Sequence, residues 1–356
     1  MPNNSFSSDV IAWQKKHGRK NLPWQKQRNA YRVWVSEIML QQTQVATVIP
    51  YYQRFMDTFP TLTHLAAAPL DEVLQLWTGL GYYARARNMH KTAQLLIAEQ
   101  QGEWPKELNA LIDLPGIGRS TAGAILSLGM NKKGIILDGN VKRILARYHC
   151  VEGWPDSSKT NKLLWQHAET YTPNRGSKTF NQGMMDLGAS LCSKKDPQCV
   201  QCPLQKGCEA FAKQSQDQFP HSKPKVKSPQ KSTSMLMIVR NQNQVLLQQR
   251  PPQGIWGGLW SFPECDHLDQ ATIEKYCANQ LGIDASLLNT WRPMKHTFSH
   301  FQLTISPIEL DYKTTRSQIR ESNASVWHRF NETPHFGVAT PIKKILAKLS
   351  DCYPTK

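Results

Sequence analysis

Two carboxylates and four cysteines are the residues of this chain best suited to chemistry. Glu37 interrupts the largely apolar run Val33-Trp34-Val35-Ser36-Glu37-Ile38-Met39-Leu40, and its helical neighbours three and four residues away are Val33, Trp34, Leu40 and Gln41, the last the only polar one. Burial against such a surface disfavours the charged form and raises a carboxyl pKa. That makes Glu37 a candidate general acid at neutral pH, the plainer alternative being a glutamate on an exposed face. Asp138 stands in Leu137-Asp138-Gly139-Asn140-Val141, where it either serves a site or caps a helix starting near Gly139. The amides of Gln41-Gln42-Thr43-Gln44 follow the Glu37 run, and such a cluster either reads base edges or caps a helix.

The cysteines Cys192, Cys199, Cys202 and Cys208 are spaced C-x6-C-x2-C-x5-C. Structural zinc usually shows two short knuckles, and this loop has one. Four thiolates so closely grouped fit a cubane cluster wrapped by a single loop better than zinc. Lys194, Lys195 and Lys206 lie in the same loop and can reach phosphates. Cys150, Cys265, Cys277 and Cys352 show no ligand spacing.

These groups must be positioned by helices. Leu114-Pro115-Gly116-Ile117-Gly118-Arg119-Ser120-Thr121-Ala122-Gly123 breaks one apolar helix and opens another, so the unit reads helix, hairpin, helix. Either it is an ordinary turn, or the N–H groups of Gly116 and Gly118 make a backbone phosphate site. Gly79-Leu80-Gly81-Tyr82-Tyr83-Ala84-Arg85-Ala86-Arg87 joins two further helices. Its glycines, tyrosines and arginines suit a loop pressed on DNA, with a ring or leucine as wedge. A helix from about Thr179 to Leu191 leads into the cysteines.

Charge and composition agree with a polyanionic partner. The 356 residues carry 43 Lys and Arg against 27 Asp and Glu, a formal +16, which favours nucleic acid over membrane. There is no run of 18 apolar residues and no apolar signal core at the N-terminus. A soluble, cytoplasmic, nucleoid-associated monomer is expected, with no membrane partner.

Taken together, Glu37, Gln41-Gln42-Thr43, the Gly79–Arg87 loop, Gly116 and Gly118, Asp138-Gly139-Asn140 and the four cysteines resemble the MutY family of adenine DNA glycosylases, within the helix-hairpin-helix superfamily. The resemblance covers nearly the whole chain. It implies two α-helical subdomains with the active site between them, a 4Fe–4S cluster, and removal of adenine mispaired with 8-oxoguanine or guanine in double-stranded DNA. N-glycosidic cleavage needs a proton on the leaving base and stabilisation of an oxocarbenium-like sugar. Glu37 would protonate adenine N7 and then help activate water. Asp138, with Lys142 and Arg143 nearby and a helix N-terminus behind it, should stay ionised and face the developing cation. By the same resemblance Asn140 supports the pair, Trp24, Gln182 and Met185 line or read the adenine pocket, and Gln42 and Tyr82 fill or wedge the duplex. Superfamily members that also nick the strand carry a lysine in the second hairpin helix. Here that position is Ser120, so a monofunctional enzyme is expected, with Lys142 near enough for a slow side reaction.

Composition changes to Gln, Ser, Lys and Pro between about Lys213 and Ser234, the mark of an extended basic linker. Strand patterning follows over Met235–Arg240 and Val245–Arg250. The stretch from Leu247 through Trp256-Gly257-Gly258-Leu259-Trp260-Ser261-Phe262-Pro263 resembles the opening of a Nudix hydrolase domain. Nudix catalysis needs a run of glutamates to hold magnesium before a final Leu-Gly-Ile. Here Cys277-Ala278-Asn279-Gln280-Leu281-Gly282-Ile283 has none, so the domain should bind rather than hydrolyse. The family resemblance points to Phe298, Ser299 and His300 as its readers of 8-oxoguanine. From the residues alone that stretch equally suits a half-buried strand.

The expected architecture is therefore multidomain. An all-α helix-hairpin-helix glycosylase domain spans residues 1–212, with the hairpin at about 108–128 and the iron–sulfur loop at 192–208. A linker at 213–233 leads to an α+β Nudix-like domain at 234–350. Two other functions remain open: a glycosylase/lyase for oxidised pyrimidines, and a non-catalytic iron–sulfur DNA-binding protein.

Overall fold

The computed structural model describes residues 5–224, 228–266, 269–316 and 325–354. They form two compact units, one of Met1–Ala67 with Asn88–Lys225, the other of Ala68–Arg87 with Val226–Lys356.

The first unit is helical. Helices α1 (Ser5–His17), α2 (Ala30–Leu40), α3 (Val45–Thr58) and α4 (Leu62–Ala67) open the chain. Asn29 caps α2 by accepting from Arg32 N at 2.8 Å. Its apolar residues surround nearly the whole helix, so α2 is buried on most sides, with Trp34, Val35 and Met39 sealed from solvent. Helix α5 (Leu70–Trp77) and the first turn of α6 (Ala84–Gln100) belong to the second unit, and the rest of α6 to the first.

The hairpin is formed by α7 (Leu108–Ile112) and α8 (Arg119–Ala124), which runs on into a wide π-helical turn over Ile125–Gly129. Gly116 takes φ +77°, which a β-carbon resists. The buried Thr92 hydroxyl donates to Pro115 O at 2.8 Å and holds the turn against α6. Then come α9 (Gly139–Tyr148), α10 (Ser158–Tyr171), α11 (Ser177–Ala189) and the short α12 (Glu209–Ala212). Phe6, Val10, Ile144, Leu164, Phe180 and Leu187 form the core that joins α1, α9, α10 and α11. Gly188 permits the close approach of α11 to the start of α9, because a β-carbon there would lie 2.5 Å from Asn140 Cβ.

The expected linker is not extended at its start. Buried Arg147 on α9 donates through Nε to Gln216 O (3.1 Å) and Phe219 O (3.0 Å), and His221 lies 3.1 Å from Glu152. Lys225 lies outside the described residues.

The second unit holds a mixed sheet. Strands β1 (Gln230–Arg240), β2 (Gln244–Gln249), β3 (Trp260–Ser261), β4 (Glu264–Cys265), β5 (Ile283–Thr290), β6 (Met294–Thr297), β7 (Gln302–Thr315) and β8 (Ser325–Arg329) share it, in the order β3-β2-β1-β7-β5. The long β1/β7 pair is parallel and the others are antiparallel. Helices α13 (Gln270–Tyr276) and α14 (Thr340–Cys352) complete the unit. Leu236, Ile238, Ile273, Cys277, Ile308 and Leu310 are its core on the α13 side. Helix α5 packs here: Gln249 Nε2 and Trp260 Nε1 lie 3.2 and 3.4 Å from the Asp71 carboxylate, and Gln75 Nε2 donates to Pro334 O at 3.0 Å. No described helix is long and apolar enough to cross a membrane.

Candidate active site

Glu37 opens onto a cavity of about 40 Å³ whose walls include Trp24, Arg28, Leu40, Gln182 and Met185. Helix α2 presents the glutamate, α11 presents Gln182 and Met185, and Trp24 comes from the turn before α2. Trp24 is 8 % exposed and meets the Tyr52 ring edge-on at 5.5 Å. The Glu37 carboxyl is raised to about 8, first by burial and then by the charge of Asp138, with Arg28 opposing. The sequence-based expectation of a raised value rested on the apolar neighbours alone; the second carboxylate adds to it.

Asp138 is the N-cap of α9 and accepts from Val141 N at 2.8 Å. Asn140 Nδ2 donates to its other oxygen at 3.2 Å. Burial raises Asp138, and the bonds from Val141 and Asn140 with the charge of Arg143 oppose that rise. The cap and the site readings of Asp138 are therefore compatible, since one oxygen serves the helix and the other receives Asn140. Of the two expected cations, Arg143 is in place, with Nη2 on Asn140 Oδ1 at 2.9 Å. Lys142 is turned to Asp156 instead. Ser120, on α8, accepts Leu137 N at 3.1 Å, one residue from Asp138.

Sequence reasoning missed Arg19 and Arg28 in the wall of this cavity and Asp186 behind it. Arg19 donates to buried Asp186 through its backbone N (3.0 Å) and Nε (2.7 Å), and Asp186 in turn receives Gln182 Nε2 at 3.0 Å. The i, i+4 spacing of Gln182 and Asp186 on one helix was the available signal.

The turn after α2 carries Gln42 and Thr43. Gln42 is exposed with φ +56°, an uncommon conformation for a side-chain-bearing residue. Thr43 bonds within the turn, to Gln41 O at 3.3 Å, and Gln44 begins α3 without a side-chain cap bond. Gly116 and Gly118 are both exposed at the hairpin.

All four cysteines line one apolar cavity of about 30 Å³ with Ile144, Arg147 and Leu187. Arg147 Nη1 lies 3.4 Å from Cys192 Sγ, and Arg143 Nε donates to Cys192 O at 2.8 Å. Burial pushes the Cys202 thiol up to about 12 and also raises Cys208. No three described His, Cys, Asp or Glu groups converge as ligands of a single ion.

In the second unit, a cavity of about 610 Å³ is lined by Leu80, Tyr82, Trp256, Phe298, Ser299 and His300 among others. Tyr82 is 48 % exposed with φ +49°, while Leu80 is buried. Arg85 braces this loop, with Nη2 on Leu80 O (3.3 Å) and Gly81 O (3.2 Å). Burial lowers its pKa to about 10. Tyr83 turns inward and donates to Val338 O at 3.2 Å. Phe298 to Phe301 is the turn between β6 and β7 rather than strand, closed by Phe298 N on Phe301 O at 2.9 Å. Phe298 stacks on Phe301 with centroids 4.4 Å apart, which leaves Ser299 and His300 exposed at the tip. Trp256, 5.4 Å from the Phe298 ring, backs the turn and was not singled out from the sequence.

Comparisons with known proteins agree on both units. Residues 35–170 match the HhH-GPD superfamily of base excision DNA repair proteins, and residues 234–348 match the NUDIX domain. The chain is 41 % identical to the adenine DNA glycosylase of Buchnera aphidicola (strain APS), over 96 % of both chains. It is 32 % identical to the Homo sapiens adenine DNA glycosylase, covering 96 % of this chain and 73 % of that one. Among solved structures, a thermostable thymine-DNA glycosylase superposes with a TM-score of 0.51 at 28 % identity, over 58 % of this chain and 95 % of its own. Matches of this extent place the chain, an N-glycosyl hydrolase of base excision repair with a Nudix-like C-terminal domain, in the MutY family of adenine DNA glycosylases.

Proposed function

We propose that this enzyme is monofunctional and removes adenine paired with 8-oxoguanine or guanine in double-stranded DNA. The observation that carries this reading is the Glu37 carboxyl, raised to about 8 and therefore protonated at neutral pH, on a cavity lined by Trp24, Gln182 and Met185. With adenine flipped into it, Glu37 gives its proton to N7. The C1′–N9 bond then breaks, its electron pair leaves with the base, and positive charge develops on the sugar. Asp138, whose rise through burial is opposed by Val141 N, Asn140 and Arg143, faces that charge as the carboxylate. Glu37, now a carboxylate, takes a proton from the water that adds at C1′. The products are free adenine and an abasic sugar. Ser120 offers no amine for a Schiff base, and the Lys142 ammonium is engaged by Asp156, which supports the monofunctional reading.

Around this centre, Gly116 and Gly118 would grip a phosphate through backbone N–H groups, and Gln42, Thr43, Leu80, Tyr82 and Arg85 would form the surface that opens the duplex. Ser299 and His300 would meet the N7–H and O8 of 8-oxoguanine, with Phe298 as their support. In this reading residues 1–212 do the chemistry and 234–350 do the recognition, although the segment 68–87 packs with the latter.

The cysteine loop fits a 4Fe–4S cluster. Four thiols share an apolar cavity, and their spacing with a single short knuckle suits a polynuclear centre better than one zinc ion. Burial of Cys202 and Cys208 opposes bare thiolates there, so ligation needs a cationic centre. Bound there, iron would supply metal–thiolate bonds that order the loop.

Single-turnover excision from A:8-oxoguanine, A:G and A:T duplexes tests the reading. The first two should be cut and the third spared. Ser299→Ala with His300→Ala should narrow the preference for 8-oxoguanine over guanine by about 1–3 kcal/mol. Equal preference in both proteins would remove the second unit from recognition.

A further inference from the structure

Gln182 faces a choice that its own chemistry leaves open. A primary amide can offer either its carbonyl or its NH2 group to a ligand, and turning it over exchanges an acceptor for two donors. Its neighbours remove that choice. Asp186, four residues on along α11, is 1 % exposed and ion-paired with Arg19 at 2.7 Å. A carboxylate only accepts, and its Oδ1 takes Gln182 Nε2 at 3.0 Å. Arg28 only donates, and its Nη2 meets Gln182 Oε1 at 2.5 Å. Turned over, the amide would set oxygen against carboxylate and N–H against guanidinium, losing both bonds.

The partner of the Gln182 carbonyl, Arg28, lines the cavity, and the direct partner of its NH2 group, Asp186, does not. Gln182 and Glu37 line it too, as does Arg19, which reaches back to Asp186. We infer that Asp186 is a positioning residue that fixes the Gln182 carbonyl towards the bound base and so selects a 6-amino purine. Two hydrogen-bonding groups of opposite character then face the base. Glu37 is a donor while protonated, and Gln182 Oε1 keeps a second lone pair as an acceptor. Adenine shows the complement on its Hoogsteen edge, with N7 accepting and N6–H2 donating. Guanine and hypoxanthine show N7 and O6, two acceptors, and set O6 against the fixed carbonyl. Arg19 takes part as the anchor of Asp186.

This inference rests on the reading that a flipped base meets Glu37 and Gln182 in this cavity, and the test separates the two. Single-turnover excision is measured on duplexes carrying adenine, hypoxanthine or unsubstituted purine opposite one fixed partner base. Purine has no group at C6, so it serves as the reference for each protein. Comparison between proteins cancels the differences in N7 basicity among the bases. In Asp186→Ala no oxygen is left to accept from Gln182 Nε2, so the Gln182 amide is free to turn. The adenine-to-purine ratio should fall about tenfold, the worth of one hydrogen bond. The hypoxanthine-to-purine ratio should rise. Gln182→Ala should lower the first ratio equally, and the double variant should fall no further.

Should Asp186→Ala slow all three substrates in proportion, Asp186 merely supports the fold and the inference is overturned. Unchanged ratios overturn it as well. If Gln182→Ala itself leaves the ratios intact, the failure lies with the placing of the base.

Discussion

The carboxyl of Asp138 raises that of Glu37, yet it is Asp138 that receives hydrogen bonds from Val141 N at 2.8 Å and Asn140 Nδ2 at 3.2 Å. Two buried acids that repel each other share one proton between pH values near their own. The donors around Asp138 decide which one keeps it. Hydrogen bonds at the N-terminus of α9 oppose the rise of Asp138, so the proposed working form puts the proton on Glu37 and the charge on Asp138.

Removing either carboxyl function should therefore stop excision in different ways. Glu37→Gln cannot protonate adenine and is expected to be the harsher, slowed about 10³-fold in single-turnover rate, as for lost general-acid catalysis. Asp138→Asn keeps an N-cap but presents no charge to the sugar. Both should retain most of their affinity for DNA, because phosphate contacts dominate it. Near-normal rates in either variant would reassign that residue to a structural part.

Ser120→Lys probes the missing amine. The serine hydroxyl accepts Leu137 N at 3.1 Å, so a lysine loses that bond, about 1 kcal/mol, while its amine gains access to the neighbourhood of Asp138. Borohydride should trap a protein–DNA adduct with the variant far more efficiently than with the parent. If the parent nicks DNA as fast as it releases adenine, the monofunctional assignment is wrong.

The cysteine loop makes a chemical prediction. Protein purified without chelators should be brown and carry about four iron atoms per chain. Cys199→Ser should lose iron together with thermal stability. Colourless protein with one zinc per chain would contradict the cluster.

Much of this was legible because each motif carries its own physical mark. Glu37 stood out as a carboxylate in an apolar helix, and Asp138 as an acid before a helix start. The cysteines were betrayed by spacing alone, and the loss of Nudix glutamates by the residues before Leu281-Gly282-Ile283. What remained hidden depended on tertiary packing. Lys142 and Arg143 are adjacent cations, and only the fold decides that Arg143 reaches Asn140 while Lys142 turns to Asp156. The segment 68–87 reads as helix and loop like its neighbours, and nothing in it announces that Asp71 meets Gln249. Ser299 and His300 lie where alternating residues suit a strand equally well, and only the register of β6 with β7 makes them a turn.

The pH dependence of adenine release tests the central claim most directly. The working form has Glu37 protonated and Asp138 ionised. Because Glu37 is raised to about 8, that form persists through neutrality and is lost as the pH climbs past that value. Asp138 is also raised, so the acid limb should lie above the usual aspartate range. Single-turnover rates on an A:8-oxoguanine duplex should therefore be level near neutrality and fall about tenfold per pH unit on the alkaline side of about 8. A rate that stays level well above that value, or rises through it, would contradict Glu37 as the acid.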